Sequence, residues 1–333
     1  MLTVFESIVG AKKGIKTHIP NIERILETKP ILSISGSLEI HCLTCKRDLL
    51  MMLWCLKSFD FHHKDLHSYL IHSDGTLDKQ DIQLIKDHIT NVRIIDLDES
   101  TTLVEHHLKE YPSCLDLRRQ YSKYPYLLKI FDPYVFSKSN YYLQFDSDLL
   151  FFSKSKQIVS YANSKTPFYH GGGWGFLQYP VNVNYLYVNG FKPVGNLNSG
   201  ILGICRNTSF FDLDLIESYL NKIKTKDIYF VHENRKIELL SDLGGYFFTG
   251  NEEPLFSIIM GNSDHRVIWA GPPADFAPSY CHKFEDKTHG FSGQNPKDCA
   301  VIHYAGFHNS SNNKQYLNGL SYLINNSPEM FNL

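Results

Sequence analysis

The 333-residue chain has no window approaching 18 consecutive apolar residues, which argues against a membrane-spanning helix. It has almost no net charge: 33 Lys and Arg against 35 Asp and Glu leave a formal −2. That balance provides no long-range field to recruit nucleic acid or an anionic membrane surface. The first residues, MLTVFESIVGAKKGIK, lack the basic-then-apolar layout of a secretory signal. Seven cysteines, an odd number, follow no framework and are read as reduced thiols in a cytoplasmic protein. No G-x-G-x-x-G or Walker loop is present. His170-Gly171-Gly172-Gly173 resembles an esterase oxyanion loop, but the chain has no G-x-S-x-G elbow to serve it. Neither a 20- to 50-residue repeat nor a Pro/Gly/Ser linker divides the chain.

What is present is material for a large core. Hydrophobic residues make up 43% and charged residues 20%, a composition that excludes disorder. Aromatics reach 14%, most of them expected in that core. Residues 1–30 are expected to form an N-terminal helical extension, with a helix from Asn21 to Thr28 capped by Asn21 and stopped by Pro30. Next, ILSISGSLEIHCLTC reads as a strand, KRDLLMMLWCLKSF as a helix and LHSYLIHSD as a strand. DKQDIQLIKDHI then reads as a helix and NVRIIDL as a strand. This β-α-β-α-β order predicts a parallel sheet with helices on its faces. Residues 101–140 are mostly helical, and SNYYLQFDSDLLFF makes two strand-like runs. NLNSGILGI and CAVIHYAG read as strands, and DLDLIESYLNKIKTK and PLFSII as helices. Residues 311–333 form a polar tail with one short helix, QYLNGLSYLI.

The sharpest local signal is Asp146-Ser147-Asp148. If the extended backbone of Tyr141 to Phe145 continues, residues two apart point the same way and both carboxylates converge at a strand end. Two unpaired carboxylates beside an apolar core repel each other and are costly to desolvate. A hard divalent cation relieves both costs, and ligands of open α/β sheets bind at the carboxyl ends of strands. An acidic surface turn is the alternative. Cys42-x-x-Cys45 invites a redox or zinc reading, against which stand the lack of a second pair and the strand position of Cys42.

YYLQFDSDLLFF resembles the DxD segment of glycosyltransferases with the GT-A fold, nearest to the retaining family-8 group that includes glycogenin and bacterial galactosyltransferases. Three further segments follow in the family's order. Asn198-Ser199-Gly200 resembles the strand beside the donor sugar. Asn251-Glu252-Glu253-Pro254-Leu255 stands where the family has an Asp-Gln pair opening a helix. His303-Tyr304-Ala305-Gly306 resembles the segment whose His is the third protein ligand of the metal. The resemblance spans roughly residues 38–310 and is carried by the ordered set of four motifs.

It implies a single GT-A-like domain over residues 31–310: a mixed, mostly parallel sheet with helices on both faces. It implies Mn²⁺ (or Mg²⁺) held by Asp146, Asp148 and His303. The donor would be a nucleotide-diphosphate sugar, a UDP-sugar, and its hexose would pass with retention to a saccharide, lipid-linked or protein acceptor. Thr44, Asp74, Lys129, Asn198, Ser199, Gly200 and Gly306 would bind that donor, and Glu252 and Glu253 are the catalytic candidates. Carboxylate and imidazole together suit Mn²⁺ on chemical grounds. For Lys129 the alternative is a helix-surface lysine, and for Glu252 and Glu253 it is stabilisation of a helix start. The family's Lys six residues after the metal His is Asn309 here, leaving His308 or Lys314 as substitutes. An inverting enzyme with Glu252 or Glu253 as base, and a non-catalytic binding protein, are the competing functions.

Overall fold

A computed structural model describes residues 21–64, 67–171, 183–195, 197–207, 209–224, 231–232, 235–236, 252–263, 267–270, 296–297, 299–304 and 310–331. The strands in chain order are β1 (Ile31–Thr44), β2 (His67–Ser73), β3 (Ile89–Thr90), β4 (Arg93–Ile95), β5 (Tyr141–Phe145) and β6 (Leu149–Phe151). They continue with β7 (Phe168–Gly171), β8 (Leu197–Cys205), β9 (Val231–His232), β10 (Arg235–Lys236), β11 (Ile268–Ala270) and β12 (Val301–His303).

The main sheet has eight strands in the order β11-β7-β8-β5-β1-β2-β4, with β3 also paired to β1. β1 runs parallel to β2, β3 and β5, β2 to β4, and β7 to β11. β8 alone runs the other way, antiparallel to both β5 and β7. The sheet is therefore mixed and mostly parallel: β1, β2 and β4 follow the parallel order that the β-α-β-α-β pattern predicts, and β8 supplies the mixed character that the GT-A resemblance implies. Helices Leu49–His63 and Lys79–His88 make the first two crossovers. β6 and β12 form a separate antiparallel ribbon, and β9 pairs with β10.

Local chemistry explains the elements. Helix Leu49–His63 is buried on nearly every side, so its apolar run is not confined to one stripe. It ends on Lys64 at φ 44°, whose N–H closes the last turn on Asp60 O. Helix Lys79–His88 starts with a capping box, in which Asp78 accepts from Gln80 N and Asp81 N and Asp81 accepts from Asp78 N. Helix Leu97–His107 is capped by Asp96, and helix Lys156–Ser164 by Ser155.

Three segments depart from the sequence expectation. The Asn21–Thr28 stretch is a 3₁₀ helix, Ile22–Glu27, and Asn21 stands at φ 66° without a side-chain cap. Its two buried isoleucines, Ile22 and Ile25, fix it by packing instead, and residues 1–20 lie outside the described residues. The C-terminal helix runs Ser310–Asn326, longer at both ends than the expected QYLNGLSYLI, within which Tyr316, Leu320 and Leu323 anchor it in the core. Asp146-Ser147-Asp148 is not a continuation of β5 but the turn joining β5 to β6.

Candidate functional site

That turn is held in place by backbone bonds on both sides. Asp146 N donates to Gly200 O on β8 at 2.9 Å, and Tyr304 N, just past β12, donates to Asp148 O at 3.0 Å. The carboxylates converge because a turn folds them together, not because strand residues alternate. β12 pairs with β6 in a register that sets His303 opposite Leu149, which brings the imidazole to the same place. His303 Nε2 lies 2.9 Å from Asp148 Oδ1 and 3.6 Å from Asp146 Oδ2. One donor atom from each of Asp146, Asp148 and His303 falls within 4.8 Å of the others. Among the described residues these are the one group of His, Cys, Asp and Glu side chains so arranged.

Lys129 forms the opposite wall. It rises from helix Leu128–Phe136, and its Nζ is 2.6 Å from Asp146 Oδ1 and ion-paired with Glu252 Oε1. The same amine donates to Ser199 Oγ at 3.1 Å, and Ser199 donates to Glu252 Oε1 at 2.6 Å. Lys129 is thus a buried bridge between two acids and not a surface lysine. Asn198 Nδ2 donates to Glu253 Oε1 at 3.1 Å. Glu252 precedes helix Glu253–Asn262 but makes no side-chain cap bond, so its carboxylate faces Lys129 and Ser199 rather than the helix start.

The antiparallel course of β8 is what makes this possible. Its first residues, Asn198, Ser199 and Gly200, lie at the edge where β5 ends, so a strand start meets a strand end. A side chain at Gly200 would collide with Nδ1 and Cε1 of His303, so glycine there gives the ring its room.

The electrostatics are those of crowded acids. Burial raises Asp146 above the usual carboxylate range, although Lys129 and His303 pull it down. Asp148 resists the same burial and ends lower, because the charge and hydrogen bond of His303 outweigh it. For His303 burial disfavours the charged ring, yet Asp148 more than offsets that and raises it. Lys129 likewise overcomes burial through Asp146 and Glu252, and is raised above the ordinary lysine value. Glu253 is pushed up to about 8, first by burial and then by neighbouring Glu252.

The remaining sequence candidates divide. Thr44 ends β1, and its carbonyl accepts from Asp74 N at 3.2 Å, so both stand at the same sheet edge as Asp146. Asp74 accepts from Thr76 N and Oγ1. A groove of about 750 Å³ opens beside it, lined by Ser73, Gly75, Leu77, Ile94, Asp96 and Leu97 among others. Gly306, His308, Asn309 and Asn251 lie outside the described residues. Cys42 is buried in β1, and Cys45 donates to Asp48 and is pushed up to about 12 by burial and that acid, so neither offers a ready thiolate. Sequence reasoning missed the Lys129–Glu252 pairing. Its signal was a lysine between Leu127-Leu128 and Ile130-Phe131, whose burial in an apolar run calls for acidic partners.

No protein-family model matches the chain, and no curated protein does. Solved structures do. Mouse xyloside xylosyltransferase 1, apo form, is 11% identical over 84% of this chain and 100% of that one, with a TM-score of 0.46. The galactosyltransferase LgtC, in complex with donor and acceptor sugar analogs, is 14% identical over 85% and 95%, with a TM-score of 0.47. The apo bifunctional glycosyltransferase WbbM is 11% identical over 89% of this chain and 52% of its own, with a TM-score of 0.53. At such identities the likeness is one of fold, and the WbbM superposition carries it. The chain has the fold of the GT-A glycosyltransferases, a mixed and mostly parallel sheet packed with helices.

Proposed function

We propose that the protein is a metal-dependent glycosyltransferase that moves a hexose from a nucleotide-diphosphate sugar to an acceptor. The observation that supports this most is the meeting of Asp146, Asp148 and His303 at the carboxyl edge of a GT-A sheet. The donor set fits Mn²⁺ or Mg²⁺: two carboxylates and one imidazole, on a side of the site where acids outnumber cations. When bound, such a cation offsets the charge that gathers on the diphosphate as the sugar leaves.

The protein's own groups have separate tasks in this reading. Asp146, Asp148 and His303 hold the cation. Thr44 and Asp74, beside the groove at β2 and β4, take the nucleoside. Ser199 and the edge of β8 lie along the sugar. Lys129 holds Glu252 in place, and this acid and Glu253 face the sugar and its anomeric carbon, where a carboxylate steadies positive charge as the bond loosens. Gly306 would lie on the diphosphate side. We read the donor as a UDP-sugar and the outcome as retention.

The inverting alternative draws on one observation: a buried carboxyl at about 8, as Glu253 has, is near the value a general base needs. Glu252 is less suited, since Lys129 already occupies it. Screening a panel of nucleotide sugars for Mn²⁺-dependent hydrolysis tests the main reading. Release of one sugar nucleotide's diphosphate, lost with chelator, is expected; a binding-only protein would hold the nucleotide and release nothing. The product anomer, read by NMR, separates retention from inversion.

A further inference from the structure

The Asn198 side chain stands between His303 and Glu253, and its orientation is fixed from both ends. Gly200 N–H donates to Asn198 Oδ1 at 2.8 Å, so that atom is the amide oxygen. At the other end Asn198 Nδ2 donates to Glu253 Oε1, which holds the amide the same way round. His303 Nδ1 lies 2.9 Å from the same Oδ1. An amide oxygen only accepts, so Nδ1 must carry a proton. The ring has no room to swing away toward the strand, since it packs directly over Gly200. Asn198, Glu253 and His303 are all buried, so water does not compete for these bonds.

We propose that Asn198, oriented by Glu253, is a positioning residue that keeps a proton on His303 Nδ1 and turns Nε2 toward Asp146 and Asp148. A histidine that ligates through one nitrogen usually donates its other N–H to a fixed acceptor, which sets both tautomer and ring direction. Here that acceptor is a side-chain amide on β8, and Glu253 is the residue behind it. This gives Asn198 a task on the metal side of the site in addition to contact with a sugar. The effect on metal affinity rests on the metal reading above; the position of the proton does not, because it belongs to the metal-free protein.

Two near-isosteric substitutions separate an acceptor from a space-filler. Asn198→Leu removes the acceptor, and Asn198→Asp keeps it. In the ¹⁵N-labelled full chain without metal, the wild type and Asn198→Asp should show a slowly exchanging His303 Nδ1–H, and Asn198→Leu should show none. Titrated calorimetrically with Mn²⁺ alone, Asn198→Leu should bind about 10–100-fold more weakly, with Asn198→Asp close to wild type. A folded Asn198→Leu protein with wild-type Mn²⁺ affinity overturns the proposal. If Asn198→Leu does not fold, Asn198→Asp still decides: loss of its protected Nδ1–H overturns the proposal, and retention supports it. A wild type that binds no Mn²⁺ but shows a protected Nδ1–H, absent from Asn198→Leu, sinks the metal reading while the assignment of the proton stands.

Discussion

Helix Leu128–Phe136 carries two buried ionic residues less than one turn apart, Lys129 and Asp132, in opposite kinds of surroundings. Asp132 is matched. Arg118 donates to it through Nε at 2.7 Å and Nη2 at 3.0 Å, and Ser100 bonds to both partners. One cation meets one anion, fully buried and charge for charge, although Arg118 Nη1 has no hydrogen-bond partner. Lys129 is mismatched. It and the His303 imidazole, a cation only when doubly protonated, face four carboxyls: Asp146, Asp148, Glu252 and Glu253. The first arrangement fastens the helices that hold it. The second has room for one more positive charge, which is what a site for a divalent cation requires.

Asp148→Asn strikes the mismatched cluster where it is most exposed to loss. Transfer should fall by about a thousandfold or more, since a lost ligand removes several kcal/mol of transition-state stabilisation. Melting temperature should hold, and turnover with circular dichroism on the same sample reads both. Arg118→Met makes the opposite break. It strands a buried Asp132 and should cost about 3–5 kcal/mol of stability in denaturant unfolding. Turnover per folded molecule should be kept, and a loss of turnover matching that of Asp148→Asn would erase the distinction between the two clusters.

His303→Ala should weaken Mn²⁺ and donor binding together, each by roughly 10–100-fold in calorimetry. Lower stability with unchanged metal affinity would make His303 a packing residue of β12. Glu252→Gln and Glu253→Gln should each reduce turnover by about tenfold or more while melting changes little. Simple helix-start stabilisation implies the reverse: a loss of about 1 kcal/mol or less in stability and unchanged turnover.

The smallest effect is one of pH. Glu253 is raised from 4.5 to about 8, so folding favours its neutral form. Its contribution is complete below about pH 4.5 and is lost as pH rises through about 8. In chelator-treated protein, Glu253→Gln should flatten that part of the stability–pH curve, and an unchanged slope would show that Glu253 is already charged.

The main strands were legible because each couples a short apolar run to a clear stop. β5 is five residues, all buried, ended by an acid, and helices Lys79–His88 and Leu97–His107 carry their own caps. The acids and the histidine were legible as residue types in a spaced order. Their geometry was not. The Asp146–Asp148 turn looked like strand continuation because strand and turn give a two-residue acidic spacing alike. The contacts of Asn198 with Glu253, and of Lys129 with Glu252, span 55 and 123 residues, and only the sheet order brings such positions together. Asn21 has the right residue type for a cap, but a left-handed backbone there leaves its side chain unused for one.

The β6–β12 ribbon has a consequence for the chain while it is being made. His303 and Asp148 are 155 residues apart, and β12 reaches its partner only after nearly the whole GT-A sheet has been synthesised. Domains fold largely as units while the chain emerges. A nascent chain that has already paired β1, β2, β4 and β5 therefore carries both acids but not the imidazole. The imidazole arrives last, with a three-residue strand, so the cluster stays incomplete until the chain has been made past residue 303.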